Sequence, residues 1–256
     1  MVPPGTLEAL GLYLIRTSAM VLSSPVLTMG TGFNAYKVAL IVGLSAILYG
    51  VTGEPLLDTV NPLTFGAMAM REILVGLSIG FVLQLSLMAV KVGGQMVGHE
   101  MGFAMASQID PETGVRIPLV TRIWENIYLV GLMAVNGHYW LLQSLAKSFE
   151  RAPVGEMKLG GGIVAIIANL FGTMFAAGLT FAIPVMTVLA LVSVMVGLLT
   201  RAVPYLNIME ISFTLRVGLG LISICLFAPL LEPVLNSLYT SLSEALESSL
   251  DAVVPR

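Results

Sequence analysis

Residues Leu159–Thr200, LGGGIVAIIANLFGTMFAAGLTFAIPVMTVLALVSVMVGLLT, contain no Asp, Glu, Lys or Arg. A run of 42 residues is far too long for a strand, and its Leu, Ala and Met content favours helix. A helix needs about 20 residues to cross a bilayer, and this stretch as one straight helix would reach about 63 Å. Two helices and one long bent helix both fit. Asn169, Gly172 and Gly178 are candidate weak points, and Pro184 removes a backbone donor, which predicts a kink.

Working outward, further charge-free runs occupy 17–36, 38–53, 73–90 and 126–146. Charged residues are 11% of the 256-residue chain and hydrophobic ones 57%, with a mean hydropathy of +0.93. So little charge cannot cover a soluble globule. The expected fold is all-α, in membrane-associated helical hairpins. Lys and Arg are spread singly, which leaves no footprint for nucleic acid and specifies orientation in a membrane only weakly. The single Cys225 excludes an internal disulfide and reads as a small buried hydrophobe. Without a basic start or a small-residue cleavage site, the first apolar helix is expected to be retained.

That first helix spans Leu7–Leu22 and carries Arg16, which faces a subunit contact or snorkels to the interface. Breaks follow at Ser23-Ser24-Pro25 and Met29–Asn34. Residues 35–49 form a short apolar segment of about 22 Å. Asn61-Pro62 opens a long helix from Leu63 to about Val92, since Pro is accommodated in the first turn. Arg71 and Glu72 are adjacent, do not share a helix face, and each need a separate partner. Gly66, Gly76, Ser78 and Gly80 offer small surfaces for close helix contact. Leu119–Phe149 reads as one helical stretch, with Arg122 pairing to Glu125 across a turn and His138 bonded to a neighbouring helix. A last apolar helix runs from about Met209 to Leu231, ended or bent by Pro229 and Pro233. In the tail, Asn236–Arg256, Leu238, Leu242, Leu246 and Leu250 recur every four residues, the pattern of a surface helix.

The apolar succession is interrupted at Lys91–Pro118, KVGGQMVGHEMGFAMASQIDPETGVRIP. Five glycines lie within it, at 93, 94, 98, 102 and 114, and Met96, Met101 and Met105 keep it apolar. Flexible thioethers pack around irregular and changing surfaces. The stretch is expected to lie in a protein-lined cavity, where it lines or obstructs a path. Catalysis finds no support. There is no phosphate loop, two histidines and one cysteine make a poor zinc set, and H-E-x-x-H at His99-Glu100 would need His where Phe103 stands. No cofactor and no metal are expected.

Gly94-Gln95-Met96-Val97-Gly98-His99-Glu100-Met101-Gly102-Phe103-Ala104-Met105-Ala106, followed by Asp110-Pro111, closely resembles the flagellar biosynthesis protein FliR family, counterpart of the SctT component of injectisomes. Supporting blocks are Asn136-Gly137-His138-Tyr139-Trp140, then Ser148 to Gly155 (SFERAPVG), and Arg201 to Asn207 (RAVPYLN). The resemblance implies a non-enzymatic subunit of a hetero-oligomeric helical export-gate assembly in the bacterial inner membrane, at the flagellar basal body. Its expected partners are FliP-like and FliQ-like subunits, in a 5:4:1 FliP:FliQ:FliR ratio expected for the family, an FlhB-like protein, and unfolded flagellar export substrates. It further implies a FliP-like part at 1–158, with a plug loop at 102–118, and a FliQ-like helical hairpin at 159–256. Met101, Phe103, Met105 and Ile109 are then the seal candidates, with Gly98 and Gly102 permitting rearrangement and Asp110-Pro111 shaping the turn. A self-contained secondary transporter is the alternative, although no inverted repeat is visible.

Overall fold

Seven helices and no strand make up the residues that the computed structural model describes: 5–25, 27, 34–53, 55–56, 61–103, 119–154, 163–202 and 208–253. They are α1 (Thr6–Ser23), α2 (Asn34–Thr52), α3 (Pro62–Glu100), α4 (Leu119–Ala134), α5 (Gly137–Arg151), α6 (Ile163–Ala202) and α7 (Ile208–Val253). Four of them hold spans long and apolar enough to cross a membrane: Ala35–Thr52, Pro62–Glu100, Ala168–Ala202 and Glu210–Ser249.

The charge-free run at 159–200 resolves into one helix, α6, with Pro184 inside it. The segment expected at 35–49 extends through Thr52, long enough for a span. The last apolar stretch and the tail also join: α7 runs through both Pro229 and Pro233 to Val253. Each proline removes one donor, which a long helix tolerates when its other backbone bonds hold. The opposite correction applies at 119–149. That stretch breaks at Asn136, which takes left-handed φ 58° and accepts Tyr139 N–H at 2.9 Å. Asn visits this region more readily than other non-glycine residues because its short amide bonds locally.

The chain divides into two compact units, Met1–Leu85 with Leu132–Phe171 and Thr240–Arg256, and Ser86–Gly131 with Gly172–Tyr239. In the first, α3 lies against α1 through Gly76 and Gly80. A Cβ on Gly76 would meet the Arg16 carbonyl and the Ala19 methyl, and one on Gly80 would strike Ser23. Gly66, the third expected contact, has open space beside it. Tyr13 stacks on Phe149 at 4.1 Å and meets Tyr49 edge-on at 5.5 Å, tying α1 to α5 and α2. Leu242 and Leu246 of the tail are buried in this unit, and Glu247 reaches Lys147 at 3.2 Å.

The second unit is built on glycine crossings of the same kind. A Cβ on Gly93 would lie 2.7 Å from the Gly178 carbonyl oxygen, and one on Gly94 2.7 Å from Thr121 Cα. Trp124 is fully buried, edge-on to Phe181 at 4.5 Å. Tyr128 is fixed by Ser86 at 2.6 Å and by the Tyr239 hydroxyl, which donates to its carbonyl at 2.9 Å. Glu125 pairs with Lys91 at 3.0 Å rather than with Arg122.

The boundary expected between residues 158 and 159 lies outside the described residues.

Candidate functional site

The interruption expected to begin at Lys91 begins ten residues later. Residues 91–100 continue α3, because Gly93 and Gly94 serve the crossings with α6 and α4 instead of breaking the helix. A glycine inside a helix costs about 1 kcal/mol relative to alanine, offset here by close backbone approach.

The helix ends at Met101–Gly102. Met101 N–H still reaches the Val97 carbonyl at 2.9 Å, and Gly102 N–H bonds His99 O at 3.0 Å. Gly102 then turns left-handed at φ 88°, where a residue without Cβ is favoured. Residues of α7 clasp this end within the second unit. The Met101 side chain is wholly buried on Gly220, where a Cβ would lie 2.8–3.0 Å from its Cγ, Sδ and Cε. Phe213 lies beside Gly102, with ring carbon Cδ2 3.2 Å from where a Cβ would stand. Arg216 Nη1 donates to the Glu100 carbonyl at 3.4 Å, a cation placed at a helix C-terminus as the dipole prefers.

Of the expected seal and turn residues, Gly98 and Met101 are buried at this end, and Gly102 and Phe103 are partly exposed. Met105, Ile109, Asp110 and Pro111 lie outside the described residues. Met101 therefore packs within its own chain at the end of α3.

A second polar centre lies in the first unit and joins residues separated widely in sequence. Arg16 donates from Nε to Glu72, from Nη1 to the Ser148 carbonyl at 2.7 Å, and from Nη2 to the Ala152 carbonyl at 2.9 Å. Its guanidinium carbon sits 4.2 Å from the centre of the Phe149 ring. Arg71 Nη1 donates to Glu72 Oε1 at 3.3 Å and to the Pro153 carbonyl at 3.1 Å. Burial pushes the Arg16 guanidinium below its usual value, while the Glu72 hydrogen bond and charge oppose that shift. Arg16 faces neither a subunit nor an interface: it is consumed inside the chain. Arg71 and Glu72 do not need separate partners, since Glu72 lies between the two guanidinium groups. The usable sequence signal was the three charges Arg16, Arg71 and Glu72 in two apolar helices, but spacing along one helix could not show that a third, distant segment supplies carbonyls to both arginines.

The hydrogen bond expected at His138 is not made through Nδ1, which is buried without a partner; its ring lies 4.5 Å from that of Tyr139. Cys225 is exposed rather than buried. Among the described residues, no three His, Cys, Asp or Glu converge on a metal-binding point. The geometry at the end of α3 suits holding a segment, and that at Arg16 suits joining helices.

Residues 7–242 match the family described as bacterial export proteins, family 1. Three similar curated proteins carry the name flagellar biosynthetic protein FliR. That of Escherichia coli (strain K12) is 28% identical over 231 residues, covering 90% of this chain and 87% of the relative. Those of Pectobacterium carotovorum subsp. carotovorum and Bacillus subtilis (strain 168) are 27% and 25% identical, covering 91% and 94% of this chain and 88% and 94% of theirs.

Proposed function

The chain belongs to the bacterial export proteins, family 1, and on that premise we propose that it is a subunit of the flagellar type III secretion export gate, forming part of the channel for unfolded flagellar proteins across the inner membrane. The observation that carries this reading is the family match over residues 7–242, joined by relatives named flagellar biosynthetic protein FliR along nearly their whole length. The proposed partners are those of the family resemblance: FliP-like and FliQ-like subunits in a 5:4:1 FliP:FliQ:FliR particle, with an FlhB-like protein at the entrance. Residues 1–158 take the FliP-like place and 159–256 the FliQ-like one. The role is conductive and structural, without a catalytic step.

The surfaces left uncovered support such an assembly. Within the span Ala35–Thr52 only 6% of residues are buried, and in an apolar 18-residue stretch of Glu210–Ser249 11%. Gly43, Gly50, Gly172, Gly197 and Gly218 have no neighbour within 4 Å of a built Cβ. Small residues on apolar helices let another helix approach closely.

In this reading Met101 and Gly98 hold the end of α3. Met101, with Phe103, Met105 and Ile109 beyond it, supplies the apolar seal, Gly102 and Asp110-Pro111 set its path, and Gly98 and Gly102 permit rearrangement on opening. Replacing Phe103, Met105 and Ile109 together with glycine is expected to raise ion flux through the assembled gate several-fold while the particle still assembles. Met101 is left intact in this variant because emptying its buried site would unfold the anchor. Unchanged flux through an intact particle would remove the sealing role. Deleting the whole chain is expected to stop secretion of flagellar subunits, and secretion that continues without it would oppose the gate reading itself.

A further inference from the structure

The buried cluster of the first unit does not balance its own charge. Arg16 and Arg71 bring two guanidinium groups to the single carboxylate of Glu72, and their exposures are 0, 3 and 0%. Arg16 donates from all three of its nitrogens. Arg71 donates from Nη1 alone. Its Nε and Nη2 are shielded from solvent and meet no hydrogen-bond acceptor. These two nitrogens form one edge of the planar guanidinium, whose parallel N–H bonds match the two oxygens of a carboxylate. A buried cation left unmatched in this way is strongly unfavourable. Beside Arg71, Met70 and Leu74 are 68% and 45% exposed, so the surface of α3 next to the cluster is uncovered.

We propose that the Nε–Nη2 edge of Arg71 is a receptor for a carboxylate supplied from outside this chain. Two sources share that chemistry. One is an acidic side chain of a neighbouring subunit, which rests on the assembly reading above. The other is a free small carboxylate, which does not.

The test melts the purified full-length chain in formate and in chloride at equal ionic strength, as wild type, Arg71→Met and Arg71→Lys, and repeats each in the assembled particle. Formate is expected to raise the Tm of the wild-type chain and leave Arg71→Met unmoved. Arg71→Lys keeps the charge without the edge, and should raise the half-saturating formate concentration about tenfold, the loss of one charge-assisted bond. A particle indifferent to formate, from which Arg71→Met dissociates at lower temperature than wild type, assigns the carboxylate to a neighbouring subunit, whether or not the isolated chain responds. A formate response that persists in the particle assigns it to a free anion. The proposal is overturned if neither the wild-type chain nor the particle responds to formate and Arg71→Met leaves the particle as stable as before, a result that leaves the subunit reading intact. It is equally overturned if the wild-type chain is indifferent to formate and Glu156→Gln, three residues beyond Pro153, gains a response, since the carboxylate would then come from within the chain.

Discussion

Replacing Glu72 with alanine is expected to destabilise the chain by about 3–5 kcal/mol, the usual consequence of removing one partner from a buried ion pair. The size follows from what is left behind. Arg16 would lose the acceptor of its Nε and Arg71 one of the two acceptors of its Nη1, with both guanidinium groups still out of solvent. The remaining contacts, the carbonyls of Ser148, Ala152 and Pro153, the Ser148 hydroxyl and the Phe149 ring, carry no net charge to offset either. Denaturant unfolding of the purified chain reads this directly as a drop in midpoint at unchanged slope. Replacing Arg16, Arg71 and Glu72 together with methionine removes charge and desolvation cost at once, and is expected to retain most of the stability that the single substitution loses. A loss below about 1 kcal/mol for Glu72→Ala would show that the three groups do not act as a buried unit.

Gly178→Leu is expected to be nearly as damaging, in the other unit and by a different route. A Cβ at Gly178 would overlap the Ala89 carbonyl oxygen, and the Gly93 position faces the Gly178 carbonyl in turn. Two backbones meet there, so no side-chain rotamer relieves the overlap. Forcing added atoms into a well-packed crossing costs about 1–3 kcal/mol, and a rigid backbone neighbour puts this case at the upper end. The edge-on pair of Trp124 with Phe181 lies three residues from the crossing and would be disturbed with it. Tryptophan fluorescence is the readout: a shift in emission and a lower Tm for Gly178→Leu, beside little change for Gly172→Leu, whose position has nothing within 4 Å. Equal effects at the two glycines would mean that the crossing is not where α6 is held.

How far this architecture was legible in the sequence depends on the kind of signal each part leaves. Helical membrane spans announce themselves by absence of charge, so 73–90 and 159–200 were readable at sight. The start at Asn61-Pro62 was equally plain, because proline fits a first turn and little else in a helix. Glycines were harder. At 93 and 94 they read as a break, yet in the structure they are where helices touch, and the two uses differ only in what lies opposite. The prolines of α7 left two readings open, and of these the structure excludes an end: Pro229 and Pro233 each forbid one hydrogen bond inside a continuous 46-residue helix. Asn136-Gly137 carried a turn signal that the long apolar run around it outweighed, and the left-handed φ of Asn136 marks the break between α4 and α5.

For the sites, the resemblance located the segment after Gly98, while residue types alone located the lone charges. Neither could assemble Arg16, Arg71 and Glu72, since the carbonyls that complete the centre come from Ser148, Ala152 and Pro153, more than 75 residues from either arginine. Main-chain acceptors carry no sequence signature.

The proposed gate requires this chain to work as one member of a mixed helical particle rather than alone. Native mass measurement of the particle extracted in mild detergent, with the chain tagged, tests that most directly. The predicted result is a single copy of this chain accompanied by several copies of two other membrane-spanning chains; a particle containing only this chain, as monomer or homodimer, would contradict it.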